Sequence, residues 1–211
     1  MAQQTLRVGT PQDLEAFYPV LTALYQEVGL VAQYVVVPAE RSLKLMEAGE
    51  LDADIGRVMG ATKGYRNMVE CKVPILESRL IAVVRQDFAL AGLTAADPKT
   101  IKYGMQRGSK FAENYVRKLG VDATVANNSR QMLQMLVAGR FDVALAVSPS
   151  ILSSFPEFDS KLKQLPTPLA KASTVHVFHV KWASYAPKLD AAVSTMKADG
   201  RLAKLLPVGY K

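Results

Sequence analysis

Cysteine is almost missing from this 211-residue chain. Cys71 stands alone, which excludes an internal disulfide framework and a cysteine-built zinc cage. Histidine is nearly as scarce. His176 and His179 stand three apart in a run that reads as a strand, so they face opposite sides and make a poor metal pair. No apolar run approaches the roughly 20 residues a spanning helix needs, which argues against direct membrane insertion. No block of five like charges occurs, and no basic helix, finger spacing or aromatic-and-basic strand would organise phosphate contacts. Also missing are a G-x-S-x-G elbow, a phosphate-cradling loop, a dinucleotide fingerprint and an H-E-x-x-H run. Nucleic-acid binding is therefore not expected, no cofactor or metal is called for, and no matched nucleophile and base mark an enzyme.

The residues that are present describe an ordinary globular protein, 49% hydrophobic and 21% charged. The net charge of +7 is spread thinly. Residues 1–85 hold 9 basic and 10 acidic side chains, residues 86–174 hold 11 against 7, and residues 175–211 hold 6 against 2. That distribution fits an anionic small ligand better than a polynucleotide. The first residues, Met1-Ala2-Gln3-Gln4, run straight into a strand pattern with no basic and apolar leader ahead of it.

Strand-then-helix units follow. Leu6 to Thr10 reads as a buried strand. Leu14, Phe17, Tyr18, Leu21, Leu24, Tyr25 and Val28 recur at helical spacing, with Pro19 suited to a first turn and Gly29 as the stop. Tyr34 to Val37 is β-rich, Leu43 to Ala48 is helical, and Asp52 to Ile55 returns to a strand. The plan repeats with a strand at Ile101 to Met105, a helix opened by Gly108-Ser109, a strand at Ala123 to Ala126, and a helix capped from Asn127-Asn128-Ser129. The apolar run from Phe141 to Val147 completes it. An internal echo joins the halves: "RSLKLMEAGELDADI" from Arg41 against "RQMLQMLVAGRFDVAL" from Arg130. Gly49 and Asp52 thus recur as Gly139 and Asp142, and Gly29 as Gly120. The expectation is an α/β chain of two lobes: 1–84 completed by 175–211, and 85–174. "LESRLIAVV" and the end of "LKQLPTPLAKASTVHVFHV" serve as the two hinge connections, with a ligand cleft between the lobes.

The motifs "TLRVGT" at 5–10, "ERSLKLMEAGELDADIGR" at 40–57, "KYGMQRGSKFAENYV" at 102–116 and "NSRQMLQMLVAGRFDVALA" at 128–146 together resemble the bacterial type II periplasmic solute-binding proteins. The resemblance is to the amino-acid-binding-like class that serves ABC transporters, and it covers about 4–206. It implies a type II periplasmic binding fold and a periplasmic location, with a signal peptide in the precursor. It also implies a receptor, monomeric by expectation, that closes on a small polar or carboxylate-bearing solute and presents it to a membrane permease. Two rival readings stand beside it: a dehydratase-like enzyme of the same fold, and a ligand-sensing regulatory domain.

Candidate ligand residues lie where strands give way to helices. Arg107-Gly108-Ser109-Lys110 offers close backbone approach and a hydroxyl beside a helix N-terminus, matching the loop that holds carboxylates in the family; it serves equally as a plain helix cap. Arg57, after "DADIG", could clamp a carboxylate at two points or form a salt bridge with Asp54. Arg66 is its rival as carboxylate ligand, although "GATKGYRNM" departs from the family's Thr-x-x-Arg spacing. Tyr18 could reach the cleft with its hydroxyl, and Met59 could add a soft wall. Val147 and Ser148 stand where amino-acid binders carry an acid for the ligand ammonium. Ser148 is thus a polar candidate, and Glu77 an alternative acid near the hinge. Cys71 reads as a buried, incidental thiol.

Overall fold

The computed structural model describes residues 3–88, 97–147, 151–207 and Tyr210. Two compact units make up the chain: residues up to Glu77 together with those from Ala172 onward, and Ser78–Lys171. The sequence places the passages at 84/85 and 174/175. The contact boundaries fall slightly earlier, inside the long strands β5 (Leu76–Arg85) and β10 (Ala170–His179), each of which carries the chain through a passage.

In the first unit the order is β1 (Gln4–Thr10), α1 (Tyr18–Glu27), β2 (Leu30–Val36), α2 (Ala39–Glu47) and β3 (Ala53–Val58). Strand β1 runs between β2 and β3, parallel to both. Strand β10 joins β3 antiparallel, and the short β4 (Met68–Glu70) joins β10. The second unit repeats the plan with β6 (Tyr103–Gln106), α3 (Lys110–Leu119), β7 (Ala123–Ala126), α4 (Ser129–Val137) and β8 (Val143–Ala146). Strand β6 lies between β7 and β8, again parallel, while β5 pairs antiparallel with β8 and with β9 (Leu162–Gln164). A short helix α5 (Ile151–Ser154) precedes β9.

The echo has a common physical cause. Each helix α2 and α4 ends at a glycine with positive φ, Gly49 at 75° and Gly139 at 68°, where a side chain would strain the backbone. Three residues on, an aspartate ties the new strand to its neighbour. Asp52 N donates to the Arg7 carbonyl at 2.9 Å and Asp52 Oδ2 accepts from Arg7 N at 2.7 Å. Asp142 does the same with Lys102, at 2.8 and 3.1 Å.

Burial follows the strands' alternation. In the second unit Val83, Ala144 and Ala146 pack on one face with Leu133, Leu136 and Phe141, while Ala82, Val84, Val143 and Leu145 pack on the other with Val116. Both faces are covered, so these strands read as continuous apolar runs. The first unit's core gathers Leu6, Val8, Leu21 and Leu24. The C-terminal helices α6 (Ala186–Ala198) and α7 (Arg201–Leu205) return to it through Leu189, Val193, Met196 and Leu202. Pro19 does sit in the first turn of α1. The residues ahead, Gln12–Phe17, form a 3-10 turn that still delivers Leu14 and Phe17 to the same core.

Candidate functional site

Within each unit the three parallel strands end on one edge of the sheet, and the following helices begin there. Ligands of open α/β sheets are held at such edges. In the first unit that edge collects Thr10, Tyr18, Arg57 and Met59; in the second, Arg107, Gly108 and Ser109.

Tyr18 opens α1. Its ring lies flat on Tyr34 of β2, with centroids 3.8 Å apart and planes 4° apart, and the Tyr34 hydroxyl donates to the Tyr18 carbonyl at 3.0 Å. One ring face is therefore covered. The Tyr18 hydroxyl is enclosed without a well-formed hydrogen bond among the described residues. Burial raises its pKa, the nearby Thr10 hydroxyl lowers it, and the Glu15 charge raises it again.

Arg57 lies on β3, almost enclosed. Its Nε donates to Asp54 Oδ1 at 3.0 Å, and Nη2 donates to Asp54 Oδ2 at 2.5 Å and to the Ala39 carbonyl at 2.9 Å. The two-point face expected for a solute carboxylate is thus occupied by Asp54, as in the salt-bridge reading. Met59 follows β3 and is half exposed. Arg66 is exposed, and it is its backbone amide that is tied down, donating to Glu47 Oε1 at 3.1 Å. Glu70 orders the turn between them: its carboxylate accepts from the amides of Gly60 and Thr62 and from the Thr62 hydroxyl at 2.8–3.1 Å.

In the second unit Gly108 is buried at φ 78°, Arg107 is exposed, and Ser109 leads into the ten-residue α3. The plain-cap reading of Ser109 does not match the geometry, because its side chain makes no cap hydrogen bond. Its Oγ is enclosed and has no hydrogen-bond partner among the described residues. Helix α4 shows the contrast, with Asn128 Oδ1 accepting from Gln131 N at 2.8 Å. Glu77 is exposed on β5 where the chain passes between units. Ser148 lies outside the described residues.

Elsewhere the titratable groups are in structural settings. Cys71 is buried, and burial together with the Asp190 charge pushes its thiol up to about 12. His176 is fully buried, its Nε2 2.9 Å from the Tyr25 hydroxyl, and burial lowers its pKa to about 4 against a smaller opposing effect of Asp54. Among the described residues no three His, Cys, Asp or Glu side chains form a metal-holding group. A shallow depression of about 450 Å³ opens at the N-terminal ends of β6 and β7, lined by Lys99, Lys102, Tyr103 and Asp122, and includes none of the residues singled out in the sequence.

Three residues of this edge escape a sequence reading: Ser42, Thr10 and Tyr34. Ser42 had a signal, since with Ala39, Leu43 and Met46 it lies on the buried stripe of α2, where a polar side chain calls for a buried partner.

No protein-family profile matches the chain. An uncharacterized protein of Shewanella oneidensis is 23% identical over 186 residues, 86% of this chain and 70% of that protein. Among solved structures, an ancestral arginine-binding protein bound to glutamine matches with a TM-score of 0.79 at 20% identity, covering 97% of each chain. The arginine-, lysine-, histidine-binding protein of Geobacillus stearothermophilus matches at 0.78 and 17% identity, over 96% of this chain and 93% of its own. A histidine kinase sensor domain with similarity to periplasmic binding proteins matches at 0.79 and 16%, over 96% and 95%. The chain has the two-lobed α/β fold of the type II periplasmic binding proteins, with mixed sheets.

Proposed function

We propose that this chain is an extracytoplasmic solute receptor that closes on a small polar, carboxylate-bearing solute and presents it to the permease of an ABC transporter. Ser109 carries the reading: a hydroxyl enclosed with no hydrogen-bond partner among the described residues, at the start of a ten-residue helix and beside a positive-φ glycine. A buried hydroxyl left unpaired costs stability, and a ligand oxygen arriving there would remove that cost. Helix N-termini also favour anionic groups. The fold supports the reading, since solved structures that share it include binding proteins for amino acids. A periplasmic location, with a signal peptide in the precursor, follows from the same reading.

A second reading is a ligand-sensing domain, favoured by the likeness to the histidine kinase sensor domain. Both readings require a solute, and neither requires turnover. Native mass spectrometry of protein purified from its source, followed by thermal-shift titration with L-glutamine, L-arginine and succinate, tests them together. Recovery of an unchanged small carboxylate and a rise in melting temperature are expected. No bound solute and no shift with any of these probes overturns the proposal, and conversion of the solute would favour an enzyme instead. Ser109→Ala is expected to weaken binding about tenfold or more while leaving stability unchanged or slightly raised, because it removes an unpaired buried group. Equal loss of both would mark Ser109 as structural.

A further inference from the structure

We propose that Asp54 and Ser42 are positioning residues that make Arg57 a reader of one uncharged acceptor oxygen on the solute, an inference that rests on the solute-binding reading above. Asp54 holds Arg57 through the Nε–Nη2 fork, the geometry a guanidinium otherwise offers to a carboxylate or phosphate. The carboxylate is itself held from behind. The Ser42 hydroxyl donates to Oδ2 at 2.6 Å and Gly56 N donates to Oδ1 at 3.2 Å. The Ala39 carbonyl, in the first turn of α2, takes a further bond from Nη2 at 2.9 Å. Asp54 and Ser42 are completely buried and Arg57 is 9% exposed. Only Nη1 of the guanidinium is uncommitted among the described residues.

What this leaves for a ligand is one amino group whose charge is already matched. An anion brought to Nη1 meets the repulsion of Asp54 as well as the attraction of Arg57, and in a nearly enclosed site neither is well screened. A carbonyl, hydroxyl or amide oxygen needs only the N–H donor and meets no such opposition. The backbone is shaped for the same network. A Cβ on Gly9 would lie 2.2 Å from Ser42 Oγ, so β1 passes close enough to α2 only as glycine. Arg57 then selects a neutral oxygen on the solute and leaves any carboxylate to other donors.

Arginine-labelled protein observed by nitrogen-15 NMR, titrated with acetate and with acetamide, tests this directly. Arg57 is expected to show separate Nη1 and Nη2 signals, with Nη1 shifted by acetamide at least as strongly as by acetate. Asp54→Asn keeps the shape and removes the charge, so acetate should gain about tenfold at Nη1 and overtake acetamide. Ser42→Ala keeps every charge and is the gentler variant; it should merge the two Nη signals while the protein remains folded. Tenfold preference for acetate in the unaltered protein, or indifference of Nη1 to both probes, overturns the inference, as does Ser42→Ala leaving the Nη signals separate. Such an outcome beside a solute recovered by native mass spectrometry leaves solute binding standing. Acetamide preference without any recovered solute would do the reverse.

Discussion

His176 sits inside the first unit's core, edge-on to Tyr25 and Phe178, with its Nε2 bonded to the Tyr25 hydroxyl and its Nδ1 enclosed with no well-formed hydrogen bond among the described residues. Burial lowers its pKa from 6.5 to about 4, so the folded protein holds it neutral where the unfolded chain would protonate it. The unfolded state therefore binds more protons between those values, and stability must fall as pH drops through that window. The loss amounts to roughly 3 kcal/mol at most by pH 4. Urea unfolding of the unaltered protein and of His176→Gln, at intervals from pH 7 to pH 4, checks this. The variant should show a visibly shallower dependence over the window, and identical slopes would show that His176 does not carry it. The sequence could place the two histidines on opposite strand faces without saying which one is buried; His176 is buried and His179 is partly exposed. Nor could the sequence supply Tyr25, 151 residues away, as the bonding partner of His176. Arg57 repeats the lesson. Its dependence on Asp54 was legible because the two are three residues apart, whereas Ser42 and the Ala39 carbonyl are joined to it only by the packing of α2 on β3.

At the scale of elements most of the fold was legible, because the period of apolar residues and the glycine stops are local signals. The 3-10 turn ahead of α1 was not: Leu14 and Phe17 keep a spacing of three, which both helix types satisfy. Strand β2 starts at Leu30, earlier than its β-rich part at Tyr34, because it pairs with the whole length of β1. Gly104 shows a constraint the sequence hides. A Cβ there would fall 2.2–2.4 Å from the Phe141 ring, which is itself fully buried between β8 and α4. Gly104→Ala is expected to lower unfolding free energy by about 1–3 kcal/mol through overpacking, measured by urea denaturation. Adding Phe141→Leu should recover part of that loss, and additive losses would place the strain elsewhere. For α4, Asn128→Ala removes the bond to Gln131 N and should cost about 1 kcal/mol. The same substitution at Ser109 should cost nothing, since no cap bond is there to lose.

For the whole molecule, the net charge of +7 divides very unequally. Residues 78–171 carry thirteen Lys and Arg against seven Asp and Glu, and the remaining residues carry thirteen against twelve. Several of the second unit's cations, among them Lys99, Lys102, Arg117, Lys118 and Arg140, are exposed with no salt bridge among the described residues. Self-repulsion should therefore weaken the second unit at low ionic strength and leave the first nearly indifferent. Screening lengths fall from about 30 Å at 0.01 M salt to about 8 Å at 0.15 M, so most of this repulsion disappears over that range. The slowest-exchanging amides of β5, β6 and β8 should gain protection equivalent to several tenths of a kcal/mol to about 1 kcal/mol, while those of β1 and β3 change by less than half as much. Hydrogen exchange at the two salt concentrations reads both units in one sample. Equal changes in the two units would mean that the charge excess acts on the molecule as one body. A larger change in the second unit would fit a receptor that keeps its excess positive charge on the lobe carrying Ser109.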